Sequence, residues 1–315
     1  MSYGDLIKDA FWITLRNRYL WFFGFFVGGT FGANVPSGGG DFDTDDFERS
    51  ATYSFAAQIS ASETLLIVGI VLLVLVLFLV FLVLRIISAG GLADSVIALD
   101  RGETRRFSST WRAGTTRFWR VLGYYLLLLL IGLTLLIAIA LPVGLLIAGV
   151  LLATEATAVR VIVIALAGLA GVLLMIGVFV ALSIVGQFAL REVVVRGEGI
   201  VGSFGAGLRL FHNNLGKSLL VWLIQIGLTI AAGLAILLAL LIIGLVLFLP
   251  TIILAIQEYA TAAIVTGIAA SVVILPLIIV ISAILGTFFH VYWTIAYLRI
   301  SGPNEREIAQ ANVAV

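Results

Sequence analysis

From Thr64 to Leu84 the chain reads TLLIVGIVLLVLVLFLVFLVL, about 21 positions without a charged side chain. A helix rises about 1.5 Å per residue, so roughly 20 such residues cross a hydrocarbon layer about 30 Å thick. Apolar segments recur at 19–33, 63–88, 121–153, 159–190, 215–256 and 259–298. The pattern predicts an all-α, polytopic transmembrane helix bundle of about six spans. The first is short, at about 15 residues, with Trp12 and Trp21 placed as interfacial anchors. It follows Lys8, Arg16 and Arg18 in the manner of a signal peptide, but Asp5 and Asp9 interrupt the basic region and no A-x-A site follows. A retained span is therefore expected. The last two runs are about 40 residues each, long enough to be single long spans or to fold back at Pro250 and Pro276. Pro142 divides the third run in the same way.

The polar intervals carry an internal pattern. Arg101-Gly102-Glu103 recurs as Arg196-Gly197-Glu198, each ten residues after a glycine, Gly91 or Gly186, read as a span end. Trp111-Arg-Ala-Gly114-x3-Phe118-x3-Leu122-Gly123 then aligns with Phe204-Gly-Ala-Gly207-x3-Phe211-x3-Leu215-Gly216. A fainter copy opens the chain at Phe11-Trp12 and Leu15-Arg-Asn-Arg18. Ordered matches in loops point to repeats. The expected organisation is one membrane domain over 1–315, built of three parallel units at about 5–95, 96–195 and 196–300, each an amphipathic helix followed by a transmembrane hairpin. An external acidic loop at 34–62 and a tail at 301–315 complete it.

The connecting helices are the most informative polar segments. Phe107, Trp111, Gly114, Phe118 and Leu122 fall at helical spacings of three and four, with Arg105, Arg106, Arg112, Arg117 and Arg120 on the opposite side. An aromatic face beside an arginine face suits the headgroup boundary. Arg105, Arg106, Arg112, Arg117, Arg120, Trp111 and Trp119 are the candidate lipid-headgroup contacts, with anionic lipids favoured. Topology control and packing explain the same residues without specific recognition. In the third unit the stripe Val201, Phe204, Leu208, Phe211 and Leu215 carries little charge and is expected to bury against the bundle.

Charge placement orients the chain. With an even number of spans, sixteen basic residues from Lys8 to Arg306 fall on one side, and Arg49 and Arg160 alone fall on the other. The positive-inside rule then places both termini in the cytoplasm. Composition agrees with a membrane protein: 62% hydrophobic and 11% charged residues, where soluble domains carry about 25% charged. A net charge of +1 gives no reason to expect nucleic acid as a partner. There is no cysteine, which excludes thiol catalysis.

Candidate chemistry is sparse. Asp41, Asp43 and Asp45 match the first ligand positions of a calcium loop, but Asp46 stands where its glycine belongs and Thr52 where its glutamate belongs, so no metal site is assigned. Gln187, Gln225 and His290 are the intramembrane polar candidates, as interhelical hydrogen-bonding groups or as ligands for a substrate. The interiors of the later spans are read as free of ionisable residues, so no proton- or voltage-driven transport is expected. Gly-x-Ser-x-Gly and HExxH are absent, nothing nominates a nucleophile, and neither enzyme activity nor a cofactor is expected.

The Arg16-to-Trp21 segment, the Gly-rich span ends followed by Arg-Gly-Glu and the Trp/Phe amphipathic helix together resemble a group of poorly characterised prokaryotic multi-spanning membrane proteins. They are similar to the membrane domain attached to some glycerophosphoryl diester phosphodiesterases. The catalytic barrel of those enzymes has no counterpart here, so its activity does not transfer. The resemblance implies a prokaryotic cytoplasmic membrane. The function expected is that of a membrane-embedded accessory or scaffold subunit, engaging lipids, other membrane subunits or further copies of itself. A transporter of a lipid or other apolar molecule is the alternative, and a partner-dependent enzyme module the third. A polar-lined pocket around Gln187 and Gln225 would favour transport.

Overall fold

A computed structural model describes residues 2–28, 61–196 and 199–302, with the side chains of 61–64 and 196 left aside. The acidic segment with Asp41, Asp43 and Asp45, and the tail from 303 onward, lie outside the described residues. All regular structure among the described residues is helical: α1 (Tyr3–Arg16), α2 (Leu20–Gly28), α3 (Ala61–Asp100), α4 (Phe107–Thr116), α5 (Phe118–Ala153), α6 (Thr157–Arg196), α7 (Ile200–Asn213), α8 (Leu215–Ile256) and α9 (Ala260–Ile300). The protein is an all-α, multi-pass membrane bundle.

Five helices, α3, α5, α6, α8 and α9, are long and apolar enough to span a bilayer. The expected sixth appears among the described residues only as the nine-residue α2, too short to cross alone. The long apolar runs do not fold back. Pro142, Pro250 and Pro276 each sit inside an uninterrupted helix, because in lipid a continuous helix is what keeps the surrounding backbone groups paired. Gly91 and Gly186 likewise lie within α3 and α6 rather than at their ends.

At 36 to 42 residues, these helices are about 54–63 Å long, roughly twice the hydrocarbon thickness. Their burial divides accordingly. Along α3 the large apolar side chains are exposed through Val83 and buried from Ile86 to Ala98. The change comes near Ile184 on α6 and near Ala283 on α9. Beyond that level the helices pack into a base; on the other side they separate into three arms, α3 alone and the α5–α6 and α8–α9 hairpins. Within the base, Leu6 and Ala10 of α1, Ile97 of α3, Phe188 of α6 and Trp293 and Tyr297 of α9 share one core.

The hairpin tips are closed locally. At the first, Arg160 donates through Nη2 to the Leu151 carbonyl at 2.9 Å and through Nε to the Thr154 carbonyl at 2.5 Å, covering carbonyls that α5 leaves unpaired at its end. At the second, Glu258 takes a left-handed φ of 64°.

The short helices dock on the long ones through small residues. α2 lies so close to α9 that a Cβ built on Gly286 would stand 2.1 Å from the Gly24 carbonyl oxygen, and Thr287 Oγ1 donates to the Leu20 carbonyl at 3.2 Å. α4 sits on α3, where a Cβ on Gly114 would meet the Ile87 carbonyl oxygen at 2.2 Å. α7 sits on α6, with Gly207 facing Ala189. Its buried residues are Ser203, Ala206 and Gly207, whereas Val201 and Leu208 of the expected apolar stripe are exposed. Small residues at these contacts let the helix backbones approach closely. α1 packs on α9, fastened by an ion pair between Asp9 and Arg299.

Gly286→Ala is expected to lower the stability of the detergent-solubilised protein by about 1–3 kcal/mol, because the methyl has a backbone carbonyl in its way. Gly144→Ala, with nothing within 4 Å, is the control and should leave the thermal unfolding midpoint unchanged or slightly raised. Equal midpoints for the two variants would mean that α2 and α9 do not touch.

Candidate functional site

The base gathers polar side chains from four helices. Gln187 and Arg191 lie four residues apart on one face of α6, and His290 and Thr294 do so on α9, so each pair faces the same neighbour. Arg191, fully buried, donates through Nη1 to both the side-chain and backbone oxygens of Gln187. Its Nε donates to Thr294 Oγ1 at 3.3 Å and its Nη2 to the His290 carbonyl at 3.3 Å. The His290 imidazole meets the Ala89 backbone on α3, and its Nε2 has no hydrogen-bond partner. Beside this cluster, Trp293 Nε1 donates to Gln225 Oε1 at 2.7 Å and Tyr124 donates to the Gly186 carbonyl at 2.7 Å.

Gln187 and His290 are thus brought together, through Arg191, and Gln225 is engaged one helix away. Gln187 accepts from Arg191 on its own helix and Gln225 from Trp293 on the neighbouring one. A groove of about 680 Å³ lies elsewhere, between the outer parts of α8 and α9, with Phe248, Thr251, Gly267 and Ser271 among its lining. Its walls are mostly apolar, and its hydroxyls are used within the hairpin: Thr251 donates to Thr266 Oγ1 at 3.1 Å and Ser271 to the Gly267 carbonyl at 2.8 Å.

The polar segments that follow the apolar runs, read as loops from the sequence, are in part helical. Arg85 and Asp94 lie on α3, and Arg191 and Glu192 on α6, within continuous helices and not in loops. These helices continue past the membrane-spanning length into the base, where protein contacts replace lipid. The sequence signal was there in Gln187 and Arg191 at four-residue spacing. It was hidden because a charge at the end of an apolar run ordinarily reads as the start of a loop.

The arginine segment is also not one helix. α4 ends at Thr116 and α5 begins at Phe118, with Arg117 at the break. At the start of α4 the Arg106 N–H donates to Ser109 Oγ at 3.0 Å, the local device that settles an orphan helix donor. Arg117 then pairs with the buried Asp94 carboxylate at 2.9 Å, and Arg105 approaches the same carboxylate at 3.8 Å and Glu103 at 3.5 Å. Trp111 turns inward and stacks with Phe107 at 6.2 Å, near Phe22 and Phe23 of α2. Arg106, Arg112 and Arg120 remain exposed, and Trp119 is 78% exposed. The seven candidate headgroup contacts thus divide into Arg105, Arg117 and Trp111, which tie the base together, and Arg106, Arg112, Arg120 and Trp119, which face outward. Among the described residues no group of three His, Asp or Glu side chains is placed to hold a metal ion.

Asp94→Asn removes the one negative charge that Arg105 and Arg117 share, and is expected to cost about 1–3 kcal/mol, less than a fully buried pair because both arginines reach solvent. Arg112→Gln, on the exposed face, should stay within about 0.5 kcal/mol of the parent. Thermal unfolding of both in detergent checks the difference, and an unaffected D94N protein would show that the Asp94 cluster does not hold α4 to α3.

No curated protein and no solved structure matches the chain. The likeness to the phosphodiesterase membrane domain therefore gains no support from these comparisons. A family model described as a family of unknown function, DUF7544, matches residues 18–300, from the turn after α1 to the last residue of α9. The arms, the base and the Arg191 and Asp94 clusters all fall within that match, and the chain belongs to the DUF7544 family.

Proposed function

We propose that the chain is a membrane-embedded accessory or scaffold subunit that engages lipids or other membrane subunits. The observation that carries this reading is the division of polar groups. Gln187, Gln225, Arg191 and Asp94 are occupied by contacts within the base, while the arms present long apolar faces. A translocation path for a polar molecule would need polar side chains turned into a cavity, and Gln187, Gln225, Arg191 and Asp94 are committed elsewhere.

The chain is organised, in this reading, as three units, α1–α3, α4–α6 and α7–α9. Each short helix lies on the last long helix of the preceding unit, and α1 on α9 closes the ring. Matched positions carry the contact: Leu6 and Ala10, Thr110 and Gly114, Ser203 and Gly207 are buried at the same offsets from their helix starts. The base lies in the cytoplasm of a prokaryotic cell, because Lys8, Arg16, Arg106, Arg112, Arg120 and Arg209 are exposed on it and positive charge is retained on that side. Its exposed arginines and Trp119 sit among headgroups, with anionic lipid favoured.

Replacing Arg106, Arg112 and Arg120 together by Gln is expected to reduce retention of anionic over zwitterionic lipid, since each basic residue at such a surface contributes about 1 kcal/mol. Mass spectrometry of lipids kept by the purified protein provides the measurement. Unchanged retention would remove the surface arginines from lipid engagement, and lipid movement between leaflets of reconstituted vesicles would favour the transporter instead.

A further inference from the structure

A run of aromatic rings crosses the level where α3 passes from arm to base. Ring centre to ring centre, Phe107 at the start of α4 lies 5.3 Å from Phe22 of α2, Phe22 lies 5.2 Å from Phe26, and Phe26 lies 5.7 Å from Phe81 of α3. Phe81 stands on the arm side of the change in burial at Ile86. α4 stands on the base side, where Gly91 abuts Thr110 and Gly114 abuts Ile87. The rings therefore lead from headgroup depth into the hydrocarbon layer, across the boundary at which aromatic side chains gather in membrane proteins. Phe22 and Phe107 are 43% and 42% exposed, and Phe23 and Trp111 back them from inside the base.

Two exposed arginines flank the lower end of this run. Arg106 immediately precedes Phe107, and Arg18 lies four residues before Phe22, in the turn where the Trp21 N–H donates to the Arg18 carbonyl at 3.0 Å. Tyr19, beside Arg18, and Trp111, four residues after Phe107, pack on the same core of Leu20, Phe23 and Leu92, which brings the turn between α1 and α2 next to the start of α4. The carboxylates of Asp94 and Glu103 are taken up by Arg117, Arg105 and Arg101, and Asp100 has a partner of its own. The surface over Phe22 and Phe107 is thus apolar and basic together, at a depth where lipid is the neighbour. That composition fits an anionic lipid.

We propose that this face seats one anionic phospholipid, with its phosphate between Arg18 and Arg106 and an acyl chain laid along Phe22 and Phe26 toward Phe81. A guanidinium fork matches phosphate oxygens in pairs, and the rings give the chain a large apolar contact area. The site deepens the proposed lipid engagement and rests on it. It is separate from Arg112, Arg120 and Trp119, which lie further along α4 and on α5.

The test is titration of the full chain in detergent, read by native mass spectrometry, with phosphatidylglycerol, phosphatidylcholine and inorganic phosphate as probes. Arg18→Gln/Arg106→Gln is expected to weaken the first phosphatidylglycerol about five- to tenfold and to leave phosphatidylcholine unchanged. Both positions are exposed, so this variant keeps the test open if Phe22→Ala folds poorly. Phe22→Ala should weaken both lipids a few-fold, and phosphatidylglycerol with six-carbon chains should bind the wild-type protein about tenfold more weakly than the long-chain form. Wild-type affinity in the double arginine variant would overturn the proposal, as would displacement of the lipid by millimolar inorganic phosphate. Unchanged binding in a folded F22A protein would leave charge alone and overturn the aromatic track. If the double variant binds normally, or loses no more than Arg112→Gln/Arg120→Gln does, the surface reading stands and this site falls. If the wild-type protein does not distinguish phosphatidylglycerol from phosphatidylcholine, both fall.

Discussion

A helix of about 60 Å cannot place all of its length in a hydrocarbon layer of about 30 Å, and the rest of the fold depends on how that excess is covered. Simple tilting would not absorb a twofold mismatch. The chain instead covers the excess with protein. α1, α2, α4 and α7 gather around the inner halves of α3, α6 and α9, so that burial begins at about the same level on each, near Ile86, Ile184 and Ala283. Beyond that level the outer halves are left to lipid, and they separate into arms because nothing in an apolar solvent drives apolar helices together.

Inside the base a core of large side chains, Leu6, Ile97, Phe188, Trp293 and Tyr297 among them, is joined by close backbone contacts and hydrogen bonds. Backbones approach at Gly24, Gly114, Gly207 and Gly286, and hydrogen bonds bridge the helices: Arg191 to α9, Trp293 to α8, Tyr124 to α6, Thr287 to α2. A buried guanidinium held by neutral acceptors carries a larger desolvation cost than it recovers from them. The Asp94 cluster sets a buried carboxylate between two partly exposed arginines.

Five of the six apolar runs could be read from composition and length alone, because twenty or more uncharged residues in a row have few other structural outcomes. The short docking helices were legible too, through their aromatic and glycine spacing. What could not be read was the far end of each long helix. Arg85, Asp94, Arg191 and Glu192 each follow an apolar run and so looked like the beginning of a polar loop, when the helix in fact continues under a cover supplied by distant segments. The buried face of α7 was legible only in part. Phe204 and Phe211 of its apolar stripe do pack on the core, but the deepest positions are Ser203, Ala206 and Gly207, and Val201 and Leu208 face out. Whether the prolines interrupt the long runs could not be read either, because that depends on whether the surroundings keep the neighbouring backbone groups paired.

The division into lipid-covered arms and a protein-covered base is tested most directly by measuring depth. The chain has no cysteine, so spin labels can be attached singly at exposed positions, replacing Leu73, Ile137 and Leu241 on the arms and Lys8, Arg112 and Arg209 on the base, in bilayer nanodiscs. Power saturation with oxygen and with a water-soluble nickel chelate should find the three arm positions oxygen-accessible and shielded from nickel, and the three base positions open to nickel. Nickel access to the arm positions, or hydrocarbon depth at Lys8, Arg112 and Arg209, would contradict the account.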